Sequence, residues 1–189
     1  MADARGVPEL RRESLERSGA YPELNAMLWT VREILELVLF KLDEVGLILG
    51  SGSPRWLARA DDELRAALDE LQAIELMRAA EFNALLRAMR RSSRTTLSQL
   101  IGTAPEPWPA ILGEHRAALL SLSQQVEDSA YDSEQTLTAL VGDRRTSSPP
   151  ALGLPRVAVP IDITGLAAYQ SALASMCAIP QLSLEDFLA

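Results

Sequence analysis

The feature that most constrains this chain is an unbroken apolar seam. Leu28, Val31, Leu35, Val38, Leu42, Val45 and Leu49 follow one another at alternating spacings of three and four. Only an α-helix returns to one face at that interval, and its repetition over successive heptads marks a coiled-coil contact. Leu24, Ile34, Leu37, Leu39 and Phe40 widen the stripe, so this helix is expected to meet more than one neighbour. Helical pattern begins near Pro22, a residue suited to a first turn. Residues 1–21 carry no sustained period and are expected to form a flexible leader.

A second helix is expected from Pro54 to about Arg90, with Leu57, Leu64, Leu71 and Leu85 as its seam and Ala60, Ala67 and Ile74 between them. The link Gly50-Ser51-Gly52-Ser53-Pro54 supplies a glycine for a left-handed cap, a serine N-cap and a proline for the first turn. So short a link makes the pair antiparallel. Thr95 or Thr96 can cap a short helix over Leu97 to Ile101, stopped by Gly102. A third long helix is expected from the Ala104–Pro109 cluster to about Val141, on a seam of Leu112, His115, Leu119, Leu122, Val126, Leu137 and Leu140. Between Ser129 and Glu134 that seam thins to Ala130 and Tyr131, which marks a surface for a partner. Trp29, Trp56 and Trp108, each near the start of a long helix, are expected to close the bundle ends.

The fold class expected is all-α: a long-helix hairpin with a third long helix, and a tethered C-terminal helix packing on it. Residues 22–141 form the helical domain. Residues 142–164 include Pro149, Pro150, Pro155 and Pro160 and read as an extended linker. Residues 165–189 read as a separate amphipathic segment, broken at Pro180.

The chemistry of most enzymes has no foothold. His115 is the only histidine and Cys177 the only cysteine, so neither a His/Cys zinc site nor a Ser/His/Asp triad can be assembled within one chain. His115 is expected to be a core histidine with one hydrogen bond. Asp61-Asp62 and Asp69-Glu70 fall in an Arg-rich helix and read as a solvated face. No cofactor and no metal are expected. A net charge of -8 argues against nucleic acid and anionic membranes. With no apolar leader and no 18-residue uncharged run, the expectation is a cytoplasmic protein without membrane insertion.

Three stretches carry a resemblance. The first holds Met27-Leu28-Trp29, Val31-Arg32-Glu33, Leu35-Glu36-Leu37 and Leu39-Phe40-Lys41-Leu42-Asp43-Glu44, and the second is Arg55-Trp56-Leu57-Ala58-Arg59-Ala60. Ala104-Pro105-Glu106-Pro107-Trp108 follows, with Glu114-His115-Arg116-Ala117-Ala118-Leu119-Leu120. Together, over about residues 24–141, they resemble flagellar export chaperones of the FlgN family. The resemblance implies a helical bundle that binds the C-terminal helices of the hook-filament junction proteins FlgK and FlgL, keeps them unpolymerised and delivers them to the flagellar type III export apparatus. It implies a substrate groove on the last long helix, here Tyr131, Gln135, Leu137, Thr138, Leu140 and Val141.

The tail has its own likeness. Ala168-Tyr169-Gln170, Ala172-Leu173-Ala174, Gln181, Ser183-Leu184 and Asp186-Phe187-Leu188 resemble the C-terminus of FlgL, with Pro180 preceding the glutamine where the usual proline follows it, at Leu182. Tyr169, Ala172, Leu173 and Met176 share one helical face, and Leu182, Leu184, Phe187 and Leu188 form an anchor beyond the break. This is the pattern of helix-in-groove recognition. Three accounts of the tail stand side by side: a natural pseudosubstrate, a chaperone–client fusion, or an ordinary closing helix. A different class of function, a structural coiled-coil adaptor or oligomerisation module with no export role, fits the same seams.

Overall fold

The computed structural model describes residues 6–51, 54–146, 168, 170–172, 174–175 and 184–188. Helix α1 is Gly6–Gly50, followed by a 3-10 turn, Pro54–Trp56. Helix α2 is Leu57–Ala88, α3 is Leu97–Ile101 and α4 is Trp108–Thr146, and a terminal turn covers Glu185–Leu188. Helices α1, α2 and α4 pack on one another as an all-α bundle, with no strand among the described residues. None of these helices is long and apolar enough to cross a membrane.

The seams are where the spacing puts them. All the α1 seam residues from Leu28 to Leu49 are buried, as are Leu57, Ala60, Leu64, Ala67, Leu71, Ile74 and Leu85 of α2. In α4, Leu112, His115, Leu119, Val126 and Leu137 are buried, while Leu122 and Leu140 are half-buried. Each fully buried leucine stabilises the bundle by about 2 kcal/mol. The wider α1 stripe divides: Leu24 and Ile34 are buried, Leu39 is half-buried, and Leu37 and Phe40 face solvent.

The chain falls into two compact units, with α1, α2 and α4 each lending a stretch to both. The first comprises Met1–Leu35, Glu70–Ser123 and Ser183–Ala189. Its core gathers Leu24, Leu28, Phe82, Leu86, Leu97, Leu100, Leu112 and Leu119. Tyr21 stacks on Trp108 with ring centroids 5.4 Å apart, and burial pushes the tyrosine hydroxyl's pKa up. The second unit comprises Glu36–Asp69 and Gln124–Leu182. Here Lys41 of α1 reaches Glu63 of α2 at 2.5 Å and Glu44 at 3.0 Å, and Arg59 reaches Glu63 at 2.9 Å. Hydrogen bonds from Lys41 and then Arg59 hold the Glu63 carboxyl down to about 2.

Several boundaries differ from the sequence expectation. Helix α1 begins at Gly6, so Pro22 lies inside it and residues 6–21 are helical rather than a loose leader. Proline removes one backbone bond there, but Tyr21 and Leu24 on either side are buried, and tertiary packing carries the helix through. Helix α1 runs through Gly50, Ser51 donating to Leu47 at 3.0 Å, and Gly52 and Ser53 lie outside the described residues. Pro54 opens the 3-10 turn rather than the α-helix. Helix α4 continues past Val141 to Thr146, into the expected linker. The short helix α3 has the expected limits, and Thr96 and Gln99 close it with a capping box.

The tryptophans behave differently from one another. Trp108 is a staple of the expected kind, but Trp29 and Trp56 are about half exposed, with Arg32 and Arg55 lying over their rings. Trp29 is mid-helix because α1 starts earlier, so it has no end to close.

The end of α2 carries local strain. Arg91 N–H donates to Leu86 O at 2.8 Å and Arg90 N–H to Arg87 O at 3.0 Å, the pair of bonds of a Schellman motif. Arg90 sits at the left-handed position with φ 55, which costs a residue with a Cβ about 1 kcal/mol. Arg90→Gly is expected to stabilise the protein by about 0.5–1 kcal/mol, read as a higher denaturant midpoint with unchanged slope. An unchanged or lower midpoint would show that the Arg90 side chain outweighs the backbone strain.

Candidate functional site

The residues expected to form a groove on late α4 do not share a face. Leu137 is fully buried and belongs to the seam, whereas Tyr131, Gln135 and Thr138 face solvent, Tyr131 being 61% exposed. Leu140 is half-buried, and the side chain of Val141 lies outside the described residues. The physical reason is that small residues continue the seam where it looks thin. Ala130 and Ser133 are buried between Val126 and Leu137, and a Cβ placed on Gly46 of α1 would meet Ser133 Oγ at 3.7 Å. That is ordinary van der Waals distance, so this part of the stripe already touches α1, while Tyr131, Gln135 and Thr138 stay open to solvent.

Beside that contact runs an open trough of about 860 Å³. Leu39, Asp43 and Leu47 of α1 form one wall, and Gln125, Asp128, Ser129, Asp132 and Thr136 of α4 the other. Ser129 Oγ donates to Asp43 Oδ1 at 3.1 Å across it.

The tail sits elsewhere, on α2. Residues 168, 170–172 and 174–175 are helical, with Ala168, Ala172 and Ser175 buried. In the second unit Arg65 Nε donates to Ser175 Oγ at 3.0 Å, and Arg65 Nη2 donates to Ser171 Oγ and to Asp61 Oδ2. Ser171 Oγ in turn donates to Asp61 Oδ2 at 2.8 Å. Of the expected tail face, Ala172 is buried, while Tyr169, Leu173, Met176 and Leu182 lie outside the described residues.

The terminal turn is seated within the first unit. Leu184, Phe187 and Leu188 are buried, and the turn packs on α3. Phe187 meets the Phe82 ring edge-on at 5.0 Å, and the Arg78 guanidinium lies 3.8 Å from the Phe187 centroid. Glu75 holds Arg78 in place through Nε at 2.8 Å and Nη2 at 2.7 Å. Arg116 Nε donates to the Leu188 carbonyl at 2.6 Å. An arginine clamped by a carboxylate with its guanidinium over a ring is a preorganised aromatic seat.

Arg65, Arg78 and Phe82 were not singled out by the sequence, and Arg116 was quoted only within a chaperone-like stretch; Asp61 is a correction, being 1% exposed rather than on a solvated face. A signal was present. Asp61 stands four residues after Leu57 and three before Leu64, on the stripe, and Arg78 likewise stands four after Ile74 and four before Phe82. A charged residue in seam register is an interior group looking for a partner.

His115 fits its expectation. It is buried in the first unit, its Nε2 lies 3.0 Å from Asn25 Oδ1, and its ring meets Trp29 edge-on at 5.1 Å. Nε2 therefore carries the hydrogen and Nδ1 is buried without a partner. Burial, then the charge of Arg32, lower its pKa below the ordinary 6.5, with Glu114 opposing. Folded protein thus resists the proton that the unfolded chain accepts. The His115 contribution is intact above pH 6.5 and is lost as pH falls from 6.5 towards the folded value. Urea denaturation at pH 7 and pH 5.5 should show a loss of stability that His115→Gln reduces; an equal loss in both proteins would overturn the assignment.

No family model, no curated protein and no solved structure matches this chain.

Proposed function

We propose that this protein is a flagellar-type export chaperone of the FlgN kind, which binds the C-terminal helices of FlgK and FlgL in the bacterial cytoplasm and presents them to the export apparatus. Its own FlgL-like tail occupies the client seat in the resting chain. The observation that carries this reading is the seated terminal turn: Phe187 on Phe82 and Arg78, with Arg116 on the Leu188 carbonyl. An aromatic side chain of the tail is buried against groups of the body, as that of a pseudosubstrate would be.

The seat this reading uses is on α2 and the start of α4, a different place from the late-α4 groove expected from the sequence. A tether sets an effective concentration of order mM, so the tail competes with any client. Calorimetry with a FlgL C-terminal peptide should show weak binding by the full chain and at least tenfold tighter binding by its Phe187→Ala variant. No binding by either protein would count against the chaperone reading.

The adaptor reading has one observation in its favour. Leu76 and Met77 in the first unit, and Phe40 and Leu47 in the second, are large apolar side chains open to solvent, as an oligomerisation surface would be. Sedimentation equilibrium separates the two: concentration-dependent self-association together with indifference to the peptides supports the adaptor.

A further inference from the structure

We propose that Asp61 and Arg65 form a hydroxyl-reading clasp, which selects a helix carrying two serines or threonines one turn apart beside small residues. This rests on the chaperone reading and names the class of helix that α2 prefers within the second unit. The tail is the occupant observed, and a client helix with the same Ser-x-x-x-Ser spacing is the external ligand.

The chemistry is directional. Arg65 can only donate, and a carboxylate such as Asp61 paired with it accepts. A group placed between them must therefore accept from one and donate to the other. Ser171 Oγ does both, accepting from Arg65 Nη2 and donating to Asp61 Oδ2 at 2.8 Å. Ser175 Oγ accepts from Arg65 Nε at 3.0 Å and donates to the Ser171 carbonyl at 3.3 Å. A hydroxyl satisfies this geometry in the least space, whereas alanine leaves the carboxylate short of a donor.

The surrounding contact is built for selection rather than strength. Among the described tail residues, the buried face is Ala168, Ala172 and Ser175, which removes little apolar area from water. Asp61 is 1% exposed, and its Oδ1 has no partner even with the tail in place. A buried carboxylate that is only partly satisfied adds little to stability, and such groups are best understood as fixing which partner binds and in what register. It also makes the tail displaceable by a helix that offers one more donor.

Isosteric replacement isolates the hydroxyl. In the full chain, Ser171→Thr keeps it and Ser171→Val removes it at equal size. Amide hydrogen exchange across residues 168–175 should be at least fivefold faster in the valine variant than in the threonine variant. In the Phe187→Ala chain, a synthetic peptide of residues 166–189 should bind at least fivefold tighter than the same peptide with both serines changed to alanine. Equal exchange in the two variants, or equal affinity of the two peptides, overturns the clasp while leaving a seated tail. Free-peptide exchange of these residues in the unaltered chain overturns the seated tail, and the clasp with it.

Discussion

Phe187→Ala is expected to release the terminal turn from the first unit, at a cost to its docking of about 3 kcal/mol, the lower end of what truncating a buried phenylalanine costs. Three interactions go together. The edge-on contact with Phe82 is lost, the Arg78 guanidinium loses its ring, and Leu184 and Leu188 are left to hold the turn. The Arg116 bond to the Leu188 carbonyl cannot compensate, because an exposed alternative to water exists once the turn lifts. The effect should be local. Carboxypeptidase should digest the variant's C-terminus at least tenfold faster, while thermal unfolding of the bundle, whose core is Leu28, Leu86, Leu112 and Leu119, changes far less. Digestion at the unaltered rate would show that Phe187 does not anchor the tail.

Arg65→Ala should be costly for a different reason. Among the described residues Arg65 is the cation paired with the buried Asp61, and an uncompensated buried carboxylate costs several kcal/mol. Arg65 itself is 44% exposed, so solvent reaches the site and the expected loss is about 2 kcal/mol. Adding Asp61→Ala should recover most of that loss, because no buried charge is left to neutralise. A double-mutant cycle by urea denaturation reads the coupling directly. Additive losses would mean that the two residues act separately, and the clasp would then be two unrelated contacts. In the double variant the tail should stay unprotected to exchange even though the bundle is stable, since recovering stability does not rebuild a hydroxyl reader.

The seams, the short helix and the core histidine were legible because each depends on neighbours within a turn or two. The alternation of three and four from Leu28 to Leu49 needs no knowledge of what it packs against. Thr96 and Gln99 satisfy each other within a single turn, and Gly102 follows at once. The start of α1 was not legible, because Pro22 argues locally for a helix start and only the burial of Tyr21 and Leu24 overrides it. Nor was the role of Ala130 and Ser133. Small residues in a stripe read as a gap until Gly46 is found opposite Ser133.

The candidate site was half legible. Leu184, Phe187 and Leu188 were named as anchors from the tail alone, since an apolar cluster on a short polar segment has to be covered. Their seats were not named, because the seam register of Arg78 does not say which partner covers it, and Arg116 looks like a surface charge until the tail is laid on it. Asp61 and Ser171 are far apart in sequence and meet only because the tail returns to α2.

By itself the sequence determined that this protein is helical, which face of each long helix is apolar, and which tail residues need a partner. Those follow from the helical period and from the cost of leaving apolar surface in water, both local properties. The tertiary structure alone decided where the tail sits, which charges are buried, and that late α4 is split between core and solvent. Each of those depends on side chains brought together from distant positions, and polar groups take their meaning from the partner that satisfies them.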